Sequence, residues 1–155
     1  MTDNARTLAS FMESVWNQGD AAAVSRFLAD RYVIHSDPGD PWDGATLSHD
    51  GFRQRLLASR APFPDLRFDI TETVAEGDRV VIAWRMLGTH TGAMGPYPPT
   101  GRRIDVRGMT IYYFRDGRIT GHRQVVDRLA VGHQLGLGGP GAGGGPETPD
   151  VLSCR

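Results

Sequence analysis

The chain has 155 residues and a formal net charge of −1. That length suits one domain whose core is large enough to hold an internal pocket, and scattered charges of both signs argue against a nucleic-acid footprint or a polybasic membrane patch. All 17 basic residues are arginine and the single cysteine is Cys154, which excludes imine chemistry on lysine and internal disulfides and leaves no expectation of thiolate catalysis.

No apolar run approaches the ~20 residues that a membrane span needs. The N-terminus lacks a signal-peptide pattern, so the expectation is a soluble, cytoplasmic protein with no membrane contact. Leu8, Phe11, Met12, Val15 and Trp16 recur at helical spacing and predict an amphipathic helix. Gly19 suits its left-handed C-terminal position, and Asp20 suits the N-cap of a second helix carrying Val24, Phe27 and Leu28. Residues 31–35 read as a short strand, followed by an acidic, turn-rich loop through Gly44. Ser48 then caps a helix to about Arg60, with Leu47 and Phe52 placed as a hydrophobic staple.

From Leu66 the apolar period changes to two, and Glu76-Gly77-Asp78 turns into a strand over 79–91. The Gly- and Pro-rich segment from Gly88 to Arg103 joins it to a strand over 103–114, and such a connection shapes a binding rim. A second hairpin turns at Asp116-Gly117 into a strand over 118–127, and a helix over Arg128–Gln134 closes the domain. The domain is expected to span 1–136, with a disordered Gly/Pro-rich tail over 137–155 that has too little to bury. Helices first and antiparallel strands afterward indicate an α+β domain with helices on one face of the sheet.

The register of the last hairpin controls which side chains share the pocket. A two-residue turn places Thr110, Tyr112 and Phe114 on the face of Ile119 and Arg123. A three-residue Arg-Asp-Gly loop instead places Arg107, Met109, Ile111 and Tyr113 there. The second is preferred, because it gathers Arg118, Thr120, His122 and Gln124 on the opposite, more polar face. The inward set on the last strand is then Ile119, Gly121, Arg123, Val125 and Asp127.

A set of short motifs follows in one order: Val15-Trp16-Asn17-Gln18-Gly19-Asp20, Phe63-Pro64-Asp65-Leu66, Gly77-Asp78-Arg79-Val80, Gly88-Thr89-His90-Thr91-Gly92, Pro98-Pro99-Thr100-Gly101-Arg102, Asp116-Gly117-Arg118-Ile119, and Asp127 before Gln134-Leu135-Gly136. Together they resemble the SnoaL-like polyketide cyclases, a branch of the nuclear-transport-factor-2-like superfamily. The resemblance implies a cone: a curved, mostly antiparallel sheet wrapped around the N-terminal helices, with a pocket at its open end. It also implies a cofactor-independent enzyme of secondary metabolism that closes rings by aldol-type chemistry. In that chemistry an aspartate removes a proton from a carbon flanked by carbonyls, and the enolate attacks another carbonyl of the same molecule. Related folds run epoxide hydrolysis, hydroxylation or isomerisation, or only bind ligands, and these remain the alternatives.

By the resemblance Asp127 stands at the acid/base aspartate, and His35 where members carry a cavity histidine. Desolvation at the end of an apolar strand would raise the pKa of Asp127; the competing reading is that it merely caps the helix starting at Arg128. His35 either meets a substrate carbonyl or is structural. Trp16, Phe52, Trp84 and Met109 are candidates for the wall facing an apolar, polycyclic small molecule, at least two of them being ordinary core. Arg107 and Tyr113 share the expected inward face, His90 is expected to order its loop beside the site, and His122 is expected to face away, toward a homo-oligomer interface. Many members carry glutamate and tryptophan where this chain has Gly121 and Arg123; Arg123 is expected to grip an anionic substrate oxygen. Asp37, Asp40 and Asp43 read as turn caps, and no metal or cofactor motif is found.

Overall fold

The structure, a computed structural model, describes residues 1–137. The expected disordered tail lies, apart from Leu137, outside the described residues. The first apolar stripe folds as α1 (Asp3–Phe11), capped by the Thr2 hydroxyl, and runs on into a π-helical turn over Met12–Asn17. Gly19 is left-handed (φ 69°), and Asp20 caps a 3₁₀ turn leading into α2 (Val24–Phe27). Leu28 leaves the helix and opens β1 (Leu28–Ser36), which is longer than expected and pairs with a two-residue strand β2 (Thr46–Leu47). Ser48 caps α3 (His49–Arg60) by accepting from Gly51 N–H. Four long strands follow, β3 (Arg67–Glu76), β4 (Arg79–Thr89), β5 (Arg103–Arg115) and β6 (Arg118–Val126), and then α4 (Arg128–Leu135). Gly136 and Leu137 close α4 with backbone bonds to His133 and Gly132.

The six strands form one sheet in the order β2-β1-β6-β5-β4-β3. Every pair is antiparallel except β1–β6, which is parallel. The helices pack on its concave side, giving the expected α+β cone. Its core seals Leu8, Phe11 and Val15 from the first helical stretch against Tyr32, Phe52, Leu56, Ile82 and Ile119, each at most 1% exposed. Burial of such side chains is the main favourable term for the fold.

The last hairpin departs from the preferred register. Arg115 pairs with Arg118 across a two-residue turn whose Asp116 (φ 50°) and Gly117 (φ 74°) are both left-handed. That geometry matches the twist of the strands, so no third loop residue is needed. Phe114 then faces Ile119, but one extra residue, Thr120, interrupts the ladder. Beyond it Tyr112 pairs with His122, Thr110 with Gln124 and Ile111 with Arg123. A bulge of one residue reverses the alternation of faces. His122, Gln124 and Val126 therefore face the concave side, whereas Arg123 and Val125 face out.

Candidate active site

A cavity of about 460 Å³ lies between the concave sheet face, α3, α4 and two loops. Its apolar walls include Trp16, Phe63, Phe68, Trp84 and Met86, and the tip of the Gly- and Pro-rich segment contributes Ala93, Met94 and Gly95. Its polar wall consists of Asp40, Arg55, Gln124 and Arg128. Aromatic sides with one convergent polar face suit a small molecule that is mostly apolar and carries a few oxygens.

Asp37 organises that polar wall from behind. It is fully buried just after β1. Its Oδ2 accepts from Arg55 Nη2 (3.0 Å), His122 Nε2 (3.1 Å) and Gln124 Nε2 (3.0 Å), and its Oδ1 from Arg128 Nη2 (2.9 Å). Burial by itself would push this carboxyl up. The hydrogen bond from His122 and the charges of Arg55 and Arg128 outweigh burial and hold it below the usual carboxylate range. Asp37 is thus an ionised acceptor with its lone pairs committed, and a poor base.

Burial pushes the His122 imidazole down, with Arg55 adding to the effect and the bond to Asp37 opposing it. His122 is therefore neutral near pH 7. Its Nδ1 lies 2.5 Å from the Tyr32 hydroxyl. Burial raises the pKa of Tyr32 well above its usual value, so the hydroxyl keeps its proton and donates it.

The carboxylate that meets the cavity itself is Asp40. It accepts from Trp42 N–H (2.8 Å) and from Arg55 Nη2 (3.2 Å), with Arg128 Nη2 at 4.0 Å. Asp43 in turn accepts from Asp37 N–H at 2.7 Å, so Asp40 and Asp43 cap the turns as expected, whereas the Asp37 carboxylate is turned inward to the polar wall. Among the described residues no acidic, histidine or cysteine cluster could hold a metal.

The residues singled out from sequence are scattered. Trp16 and Trp84 line the cavity. Phe52 is sealed core, stacked edge-on against Tyr32 with ring centroids 4.9 Å apart. His90 is fully buried, and its Nδ1 accepts from Thr100 N–H, which ties the base of its loop. Arg107, Met109 and Tyr113 face the convex side because the two-residue turn pairs inward Phe114 with Ile119 and leaves the alternate residues of β5 outside, and the bulge at Thr120 turns Arg123 out with them. His35 also lies outside, packed against Tyr113 with centroids 5.0 Å apart, in an open outer groove. Asp127 is exposed, and its carboxylate caps α4 through Ala130 N–H at 3.0 Å. Asp105, on β5, pairs with Arg85 at 2.5 Å.

The SnoaL-like polyketide cyclase family profile matches residues 6–135. The chain belongs to the SnoaL-like polyketide cyclase family. A solved structure of a candidate polyketide cyclase from Acidithiobacillus ferrooxidans is 39% identical, with a TM-score of 0.84 over 89% of this chain and 97% of that one. IdmH from Streptomyces antibioticus, also a candidate polyketide cyclase, is 28% identical, with a TM-score of 0.74 over 87% of this chain and 99% of its own. No curated protein sequence matches the chain significantly. These SnoaL-like relatives share the cone, and the family association supports a cyclase-like function.

Asp37, Asp40, Arg55, His122, Gln124 and Arg128 were not selected from the sequence as functional. One signal was available. Arg55 falls between Phe52 and Leu56 on the buried face of α3, and a guanidinium within an apolar stripe asks for a buried partner. Alternating Thr120, His122 and Gln124 also read as a polar face, but that face was expected to turn away from the pocket, with His122 toward an oligomer interface; His122 and Gln124 instead face the concave side.

Proposed function

We propose that this chain is a cofactor-independent cyclase acting on a flexible, largely apolar poly-carbonyl compound, with Asp40 rather than Asp127 as its acid/base group. The observation that carries this reading is Asp40, the one carboxylate lining the cavity among the described residues, set beside two guanidiniums in an otherwise largely apolar pocket. Asp40 takes a proton from a carbon flanked by two carbonyls. The negative charge moves onto the enolate oxygen, where Arg55 and Arg128 stabilise it. The enolate carbon then forms a bond to a second carbonyl carbon of the same molecule, and the resulting alkoxide recovers the proton from Asp40. Atoms balance with no co-reactant, and the aromatic walls hold the chain folded for attack. A second copy of the chain covering the convex sheet face is the expected assembly.

Proton abstraction can be read without knowing the natural substrate. Hydrogen–deuterium exchange at C2 of methyl 3-(2-naphthyl)-3-oxopropanoate, followed by proton NMR, should exceed the buffer rate in the wild type. Asp40→Asn should lower the enzymatic part by about 10²–10⁴-fold, and Asp127→Asn should leave it unchanged. The opposite pattern would return the base to Asp127.

A further inference from the structure

The hydrogen bonds around Gln124 fix the direction of every proton in a chain of four residues. Trp84 Nε1–H can only donate, and it donates to Thr110 Oγ1 at 2.9 Å. Thr110 is fully buried and has one proton to give, which goes to Gln124 Oε1 at 2.7 Å. The Gln124 carbonyl oxygen therefore faces Thr110, and its NH₂ faces Asp37 Oδ2 at 3.0 Å. The ionised Asp37 can only accept, which imposes the same amide orientation from the other end. His122 obeys the same constraint: its Nε2–H must donate to Asp37, so its Nδ1 accepts from Tyr32.

What this network leaves over for a ligand on Gln124 and Arg55 is donors. One N–H of Gln124 Nε2 remains after the bond to Asp37. Arg55 Nη1 has no hydrogen-bond partner among the described residues, its Nε and Nη2 being spent on Asp37 and Asp40. Gln124 and Arg55 both line the main cavity, and both also line a small, narrower recess of about 30 Å³ beside it, shared with Tyr32, Tyr112 and His122. They stand where the two spaces meet. We propose that Gln124 and Arg55 form a recognition site for one acceptor oxygen, a ketone or ester carbonyl, at this junction, and that Thr110 and Trp84 are positioning residues that lock the Gln124 amide in its donating orientation. The proposal deepens the reading of the cavity as a carbonyl-processing site and supplies the specificity that two arginines alone lack. An amide held at one end by a Thr110 hydroxyl whose proton the donor-only Trp84 indole directs toward it, and at the other by an acceptor-only carboxylate, has no second orientation to offer a hydroxyl donor.

The test uses 2-acetonaphthone carrying ¹³C at its carbonyl, titrated into the full chain and observed by NMR. Bound to the wild type, the carbonyl resonance should move downfield of its position in Thr110→Val, and affinity should fall about tenfold in that variant, the effect of one hydrogen bond. Thr110→Ser, which keeps the hydroxyl, should restore both. Gln124→Leu should behave as Thr110→Val does, and it carries the comparison if Thr110→Val fails to fold. An identical bound resonance in wild type and Gln124→Leu overturns the proposal, as does binding of 2-ethylnaphthalene as tight as that of the ketone. Asp40→Asn should keep the shifted carbonyl while losing proton exchange. A wild-type exchange rate in that variant, with the carbonyl shift intact, would remove the base assignment and leave the oxygen site standing.

Discussion

Asp37 accepts from two guanidiniums, an imidazole and an amide, and its acidity and that of His122 make the fold sensitive to pH in a definite direction. His122 is depressed mainly by burial. On acidification the unfolded chain takes up this proton near pH 6.5 while the folded chain resists it, so stability falls as pH drops below about 6.5. Asp37 is also depressed, because His122, Arg55 and Arg128 together outweigh burial. Its contribution is fully present above the unfolded carboxylate pKa of about 3.9 and is lost as pH falls through the lower folded value. Melting temperature should therefore be level above about pH 7 and decline in two stages below it. His122→Gln should remove the upper stage only; an unchanged decline between about pH 6.5 and 5 in that variant would refute the assignment to His122.

At the scale of elements, the parallel β1–β6 pair does most to place the site, because it brings the end of β1, with Asp37, beside His122 and Gln124. Gly121 is the point of closest approach. A Cβ there would stand 2.2 Å from Val33 O and 3.2 Å from His35 Nε2. Gly121→Ala must push the two strands apart just where the Thr120 bulge sets the faces of β6. It should cost about 1–3 kcal/mol in chemical denaturation and reduce proton exchange as well, since the Asp37 network moves with β1. A folded variant with both quantities unchanged would show that the pairing tolerates the displacement. Gly121 thus answers to backbone proximity, without any appeal to substrate. Gly108 has a similar role beneath Trp84: a Cβ would meet the indole at 2.4 Å, so glycine leaves the ring room to reach Thr110.

On the whole molecule, the convex sheet face keeps apolar side chains in water. Met109 and Val125 pair across β5–β6 and are 56% and 72% exposed, with Ile111 and Tyr113 on the same face. Neighbouring exposed apolar side chains on a sheet face are a common mark of association. The chain should elute as a homodimer in size-exclusion chromatography with light scattering, and Met109→Glu should shift it to monomer. A monomeric wild type would count against a second copy as the cover. The same face accounts for Arg107, Met109, Tyr113 and Arg123, which sequence parity had assigned to the pocket.

Local chemistry was legible in the amino-acid order. The caps at Asp20 and Ser48, the left-handed Gly19, the hairpin at Asp116-Gly117 and the stripe from Leu8 to Trp16 depend on residues within a few positions of one another, and each formed where it was expected. The ordered landmarks likewise carried the family and its cone. The polar wall depended on something else. Arg55, His122, Gln124 and Arg128 lie 18, 85, 87 and 91 residues from Asp37 along the chain, and no local pattern couples them. One inserted residue, Thr120, chose which alternate side chains of β6 face inward, and a bulge leaves almost no mark in composition or periodicity. Asp127 shows the converse: a carboxylate at a strand end can satisfy a helix N-terminus as readily as a substrate, and only packing in three dimensions separates the two, because burial and partners belong to the assembled fold rather than to the order of residues.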